Sequence, residues 1–136
     1  MEATQMANPF VHVELHTGDP AKAKAFYSKL FGWKLKDMPM PGGDTYTMIE
    51  VGEGTGGGMM TAQPPGSPPR WQAYVGVDDV AASTRKAKEL GAKVMMDKTE
   101  VAGAGWMSVI VDPTGATIAL WQPKPAQQAQ KPQKKK

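Results

Sequence analysis

His12, Glu14 and His16 occupy every second position in FVHVELHTGD, residues 10–19. A strand sends alternate side chains to opposite faces. This spacing therefore lines two imidazoles and a carboxylate along one side, and leaves Val11, Val13 and Leu15 as an apolar side. Imidazole and carboxylate are the groups of proton transfer and metal ligation. Side chains at i and i+2 stand about 7 Å apart, so the spacing predicts that Glu14 reaches either histidine loosely or through water. A plainer arrangement fits equally well: Glu14 partners another strand and His16 sits at the solvent edge.

The same pattern returns about sixty residues later in WQAYVGVDD, residues 71–79, where Gln72, Tyr74 and Gly76 replace His12, Glu14 and His16. A neutral amide and a phenol suit hydrogen bonding to a ligand better than acid–base work. Trp106 and Trp121 have the area to shape a pocket for a small molecule, with ordinary core packing as the competing role, above all for Trp121. Trp33 and Trp71 sit at strand starts and suit plugging an end. Residues 52–58 hold five glycines. No Lys-Ser/Thr and no helix follow them, which excludes a nucleotide phosphate loop.

These groups need elements to hold them. After the strand at 10–17, Asp19-Pro20 supplies an N-cap and a first-turn proline. A helix is predicted over 19–31, with Ala23, Phe26, Tyr27 and Leu30 as its inner face and Gly32 as its stop. Short strands follow at 33–36, 45–51 and up to 61, with PMPGGD at 39–44 as a turn. AQPPGSPPR, residues 62–70, is a proline-rich connector. The second half repeats the order: strand 71–77, helix 79–90 with inner face Val80, Thr84, Ala87 and Leu90, then strands 92–96, 105–111 and 116–122. The turn Asp112-Pro113-Thr114-Gly115 joins the last two. The halves align at an offset of 60 over the strand and helix, and of 61 over the closing hairpin, where Ser108 to Trp121 match Thr47 to Met60.

The chain has 136 residues, enough for one domain with one core. Its formal charge of +3 misleads. Sixteen basic residues less Lys124, Lys131, Lys134, Lys135 and Lys136 leave 11 in the body against 13 acids, which gives no electrostatic reason to expect nucleic acid. Absence of cysteine suits a reducing cytosol. No apolar run approaches the roughly 18 residues of a membrane span. The reading is a flexible N-terminus at 1–9, a single domain at 10–123 (units 10–61 and 71–122, linker 62–70), and a disordered Lys/Gln/Pro tail at 124–136.

Three stretches carry a family resemblance: HVELHTGDPAKAKAFYSKLFGWKL, VGVDDVAASTRKAKELGAKV and VIVDPTGATIALWQP. They resemble the vicinal oxygen chelate superfamily of glyoxalase I, bleomycin-resistance proteins and extradiol dioxygenases. The resemblance implies an α+β fold of two tandem βαβββ units forming an open, partly closed mixed β-sheet barrel with the helices outside. It also implies a groove reached by His12, Glu14, His16, Gln72, Tyr74, Trp106 and Trp121, a small-molecule ligand and a homodimer; the cytoplasmic expectation comes from the lack of cysteine and of a membrane or signal segment.

In metal-dependent members each unit offers ligands from its first and last strands. Here those positions fall on His12, Gly58, Gln72 and Ala119, two of which carry no donor, so the metal site looks degenerate and no cofactor is expected. The leading expectation is a small-molecule-binding protein with no nucleic-acid or membrane partner. The alternative is a metal-dependent lyase or isomerase resembling glyoxalase I, or a dioxygenase-type enzyme, using His12 with a divalent metal and a carboxylate such as Glu50 or Glu100.

Overall fold

The computed structural model describes residues 7–40, 42–101 and 103–124. It contains β1 (Phe10–Thr17), α1 (Pro20–Phe31), β2 (Lys34–Pro39), β3 (Thr45–Glu50), β4 (Gly57–Thr61), β5 (Arg70–Gly76), α2 (Val80–Glu89), β6 (Lys93–Val101), β7 (Gly105–Val111) and β8 (Thr117–Pro123). The chain divides into two compact units. One is Phe10–Ala73; the other joins Tyr74 onward to the residues up to Pro9. The element order is βαβββ twice, as the repeat predicts.

In the first unit the strand order is β2-β3-β4-β1, with β1 parallel to β4 and the other pairs antiparallel. The Asp19 carboxylate accepts the Lys22 N–H at 3.0 Å, and Gly32 closes α1 in the left-handed region at φ 71°. Such an N-cap contributes about 1 kcal/mol. Leu15, Ile49 and Met59 form the core under α1, with Ala23, Tyr27, Trp33 and Leu35 packed on it. Burial of a side chain such as Met59 contributes about 1.5–3 kcal/mol.

Only part of the expected helix face turns inward. Phe26 and Leu30 are 57% and 56% exposed, because a helix centred over Ala23 and Tyr27 swings them to its flank. Tyr27 collects the other aromatic rings: its centroid lies 5.6 Å from Trp33 and 5.5 Å from Trp71. Trp33 packs on the core directly, and Trp71 is tied to it through Tyr27 and Trp33. Buried Thr47 donates to Asp37 at 2.7 Å. That bond, with help from Lys24, holds the Asp37 carboxyl below its ordinary pKa.

The second unit repeats the design in the order β5-β8-β7-β6. Asp79 caps α2 through the Ala82 N–H, and Val80 and Thr84 are its buried positions. Thr84 bonds the buried Ser108 hydroxyl at 2.8 Å. Leu90, expected on the inner face, is 70% exposed because α2 stops at Glu89 and Leu90 is already its cap. The second strand of this unit, β6, is longer than predicted, running to Val101 with register shifts that absorb Met95, Asp97 and Lys98. At the 112–115 turn the Asp112 carboxylate accepts from the Thr114 hydroxyl and N–H and from the Ala116 N–H, which holds its pKa low.

Register confirms the repeat residue by residue. Glu14 faces Gly58 across β1–β4, and Tyr74 faces Ala119 across β5–β8. Thr47 faces Met59, and Ser108 faces Leu120. The domain limits shift at both ends. The Gly76 N–H donates to the Pro9 carbonyl at 2.9 Å and Asn8 donates to the Gly76 carbonyl at 2.9 Å, so pairing starts before residue 10. Lys124 donates its N–H to Ala104 and pairs with Glu100, so it belongs to the fold rather than to the tail. Residues 1–6 and 125–136 lie outside the described residues. Among the described residues no helix is long and apolar enough to cross a membrane.

Candidate functional site

Alternation along β1 puts Leu15 under α1, and so puts His12, Glu14 and His16 on the face that carries no helix. The same alternation on β3 sends Thr47 and Ile49 inward and Tyr46 out to that polar face. The strand β4 lies between β3 and β1, and its residue at this level is Gly58. The Tyr46 ring spans that gap. A Cβ built on Gly58 would lie 2.0 Å from the Tyr46 hydroxyl oxygen, so only glycine leaves the ring its path.

The Tyr46 hydroxyl donates to Glu14 Oε2 at 2.7 Å and lies 2.7 Å from His12 Nε2. A phenol has one proton to give. With that proton directed at the carboxylate, the bond to His12 requires an N–H on Nε2, which fixes the imidazole tautomer. Burial lowers the His12 pKa below its ordinary 6.5, with the negative charge of Glu14 opposing only part of the shift. His12 is therefore a neutral donor to Tyr46 at neutral pH.

Glu14 and His16 are 6% and 7% exposed, so His16 does not sit at the solvent edge. Nor is Glu14 beyond its reach: Glu14 Oε1 is 2.8 Å from His16 Nε2. The contact lies outside the direction of a good ring N–H bond, and among the described residues neither His16 nitrogen has a hydrogen-bond partner. The roughly 7 Å spacing holds for the backbone and not for the tips of two long side chains leaning toward each other. Four residues thus form one chain of contacts, His12–Tyr46–Glu14–His16, of which the sequence reading missed Tyr46. Its signals were present: alternation in TYTMIE and a glycine in the run that forms the following strand.

In the second unit Tyr74 is buried, points its hydroxyl at Met107 Sδ, 3.9 Å away, and meets Trp121 edge-on at 6.4 Å between centroids. Gln72, two residues earlier on β5, is also buried. Trp106 does not join them. It is paired with Gln122, whose side-chain oxygen accepts the Val80 N–H, so Trp106 shares the α2 side of the sheet. There Lys98 and Lys124 lie 5.2 and 5.5 Å from its ring centre.

A divalent ion at the four positions implied by the resemblance needs three or four N/O donors at about 2 Å. Gly58 offers none, and neither does Ala119, which is fully buried opposite Tyr74. His12 Nε2, the nitrogen that meets Tyr46, is committed to a hydrogen bond. Among the described residues no group of three or more His, Cys, Asp or Glu could hold a metal. Glu50 ends β3 opposite Lys34, and Glu100 is exposed and bonded to Lys124; neither supplies the missing carboxylate. The residues present do not fit the ion.

Comparison with known proteins agrees with this architecture. The family model described as Glyoxalase/Bleomycin resistance protein/Dioxygenase superfamily matches residues 10–120. The chain is 42% identical over 114 residues to "Putative glyoxylase CFP32" of Mycobacterium tuberculosis, covering 81% of this chain and 44% of that protein. It is 29% identical over 127 residues to "Anthracycline biosynthesis protein DnrV" of Streptomyces peucetius, covering 80% of this chain and 45% of that one. The chain thus spans less than half the length of these curated relatives. Among solved structures, methylmalonyl-CoA epimerase from Mycobacterium tuberculosis superposes with a TM-score of 0.69 at 19% identity, covering 95% of this chain and 99% of that one. The chain belongs to the Glyoxalase/Bleomycin resistance protein/Dioxygenase superfamily.

Proposed function

We propose that the chain is a small-molecule-binding member of this superfamily whose polar site works through side-chain hydrogen bonds and not through a metal held by His12. One observation supports the reading: of the four positions where the family resemblance places ligands, Gly58 and Ala119 have no donor atom, and the register pairs them with Glu14 and Tyr74. A neutral histidine and a neutral glutamine bring no negative charge to offset the desolvation of a dication. The ligand contacts in this reading come from His12, Glu14 and His16 of β1, with Tyr46 beside them. The outer strands β2 and β6 each end a sheet, which supports a homodimer; a monomeric mass by light scattering at micromolar concentration overturns that part. A cytoplasmic location rests on the absence of cysteine alone.

The deciding experiment is a thermal-shift screen of small carbonyl and aromatic acids, run with and without a chelator. A ligand present at 100 times its Kd adds about 2.7 kcal/mol. The expected result is a hit whose shift is the same in both arms; a hit that vanishes with chelator overturns the reading. The 42% identity to a protein printed as a glyoxylase favours a second reading, a lyase or isomerase resembling glyoxalase I and dependent on His12. Glyoxalase activity gained on adding zinc or nickel establishes it instead.

A further inference from the structure

We infer that Tyr46 and Gly58 are a matched pair, in which the phenol hydroxyl stands at the point where a cation would have to sit. The inference rests on the metal-free reading above and extends it from missing donors to a built-in occupant. The hydroxyl oxygen is 2.7 Å from His12 Nε2 and 2.7 Å from Glu14 Oε2. These are the imidazole nitrogen and carboxylate oxygen of the polar row that converge on one point, and the phenol fills that point with a proton rather than an ion. The ring that delivers it lies over Gly58 so closely that a Cβ there would stand 2.0 Å from the oxygen and 2.2 Å from Cζ. The phenol excludes every side chain at position 58, and any side chain at 58 evicts the phenol.

Eviction is not a simple rotation. The far end of a tyrosine is movable, but this one is held by two short hydrogen bonds, one of them to a carboxylate. The two states are therefore exclusive. In one, Tyr46 fixes the His12 tautomer as a positioning residue and Gly58 stays bare. In the other, the Cβ of a side chain at 58 would stand within 4.7 Å of His12 Nε2, the limit set by the 2.0 and 2.7 Å separations, which leaves a carboxylate on it within reach of the same point. Together with Glu14 that carboxylate would complete three N/O donors, enough for zinc or nickel.

The test compares the wild-type chain with Gly58→Glu, Tyr46→Ala and the double variant, using zinc chloride titrated by calorimetry and ¹⁵N spectra of the histidine rings. The wild type is expected to show His12 protonated on Nε2 and no saturable zinc binding. Gly58→Glu alone should lower Tm and lose that tautomer signature. Adding Tyr46→Ala should recover much of the lost Tm and bind zinc about tenfold more tightly, or better, than either single variant. If the double variant does not fold, Tyr46→Phe carries the test, because loss of the Nε2–H signature with the ring retained isolates the hydroxyl. Gly58→Glu with unchanged Tm and unchanged His12 signals overturns the pairing and leaves the metal-free binding function to its own chelator test. One-to-one zinc binding by the wild type with a shift of the His12 signals overturns both.

Discussion

The Tyr46 ring crosses Gly58 to place its hydroxyl 2.7 Å from Glu14 Oε2, and the repeat puts Met107 and Tyr74 in the same two slots of the second unit. There the direction of donation is reversed. The phenol stands on β5, where the first unit has the carboxylate, and it reaches Met107 Sδ at 3.9 Å, across the level of Ala119. One geometry thus carries a short bond to a carboxylate in one half and a long, weak contact to a thioether in the other. Among the described residues, the row of two imidazoles and a carboxylate lies in the first half.

Gly58→Ala should be costly for a reason that glycine flexibility does not cover, since Gly58 has no positive φ. The added methyl displaces Tyr46 and breaks both of its bonds, one neutral and one to a charged group. The expected loss is about 2–4 kcal/mol. Chemical denaturation measures it. Gly58→Ala in a Tyr46→Ala background should cost much less, since the ring is gone, and equal costs in the two backgrounds would refute the contact.

Tyr46→Phe keeps the ring and removes the hydroxyl. Glu14 is almost fully buried, and one of its oxygens loses a short donor, so a loss of about 1–3 kcal/mol is expected. The matching change in the other half, Tyr74→Phe, removes a 3.9 Å contact to sulfur where Tyr46→Phe removes a 2.7 Å bond to a carboxylate, and should cost less. Paired urea midpoints decide between them.

The repeat was legible because the offset between the halves changes by only one residue: the steps of 60 from Glu14 to Tyr74 and of 61 from Gly58 to Ala119 can be counted in letters. The correspondence of Gly58 with Ala119 was legible for the same reason. What helical spacing could not give was the direction of α1. Phe26 and Leu30 fit an inner face as well as Ala23 and Tyr27 do, and the choice was made by a three-residue core of Leu15, Ile49 and Met59 too small to cover them. Trp106 was placed on the wrong side because a residue's face depends on where its strand begins to alternate, which the Gln122–Val80 bond fixes and no local pattern shows. Tyr46 escaped notice because its partners are 32 and 34 residues away.

The C-terminal boundary gives a third prediction. Pro123 closes β8 opposite Gly105, and Lys124 holds the Ala104 carbonyl, the Glu100 carboxylate and the Trp106 ring. Residues 125–136 are Pro, Ala, Gln and Lys only. Truncation after Lys124 should leave Tm within a degree or two, and truncation after Gln122 should lower it by several degrees. Equal Tm values for the two truncations would show that the Lys124 contacts contribute nothing.

The pH dependence of stability follows from His12. Its pKa is lowered in the folded state, mainly by burial, against about 6.5 in the unfolded chain. Above pH 6.5 both states hold a neutral ring and the group adds no pH dependence. As pH falls through 6.5 the unfolded chain takes up its proton first, so unfolding is favoured and stability declines. The decline continues until pH passes the lowered folded value, below which both states are protonated and the contribution levels off. Protonation in the folded state also adds a second N–H at Nδ1 without changing the bond to Tyr46, so the loss comes from burying the charge rather than from breaking the relay. His12→Gln retains an N–H donor of similar reach and cannot titrate. Urea midpoints measured from pH 8 to pH 5 should fall more steeply for the wild type than for His12→Gln, and the two curves should converge in slope above pH 7. Parallel curves over the whole range would mean that His12 keeps an ordinary pKa and is not shielded from water by Tyr46 and its neighbours.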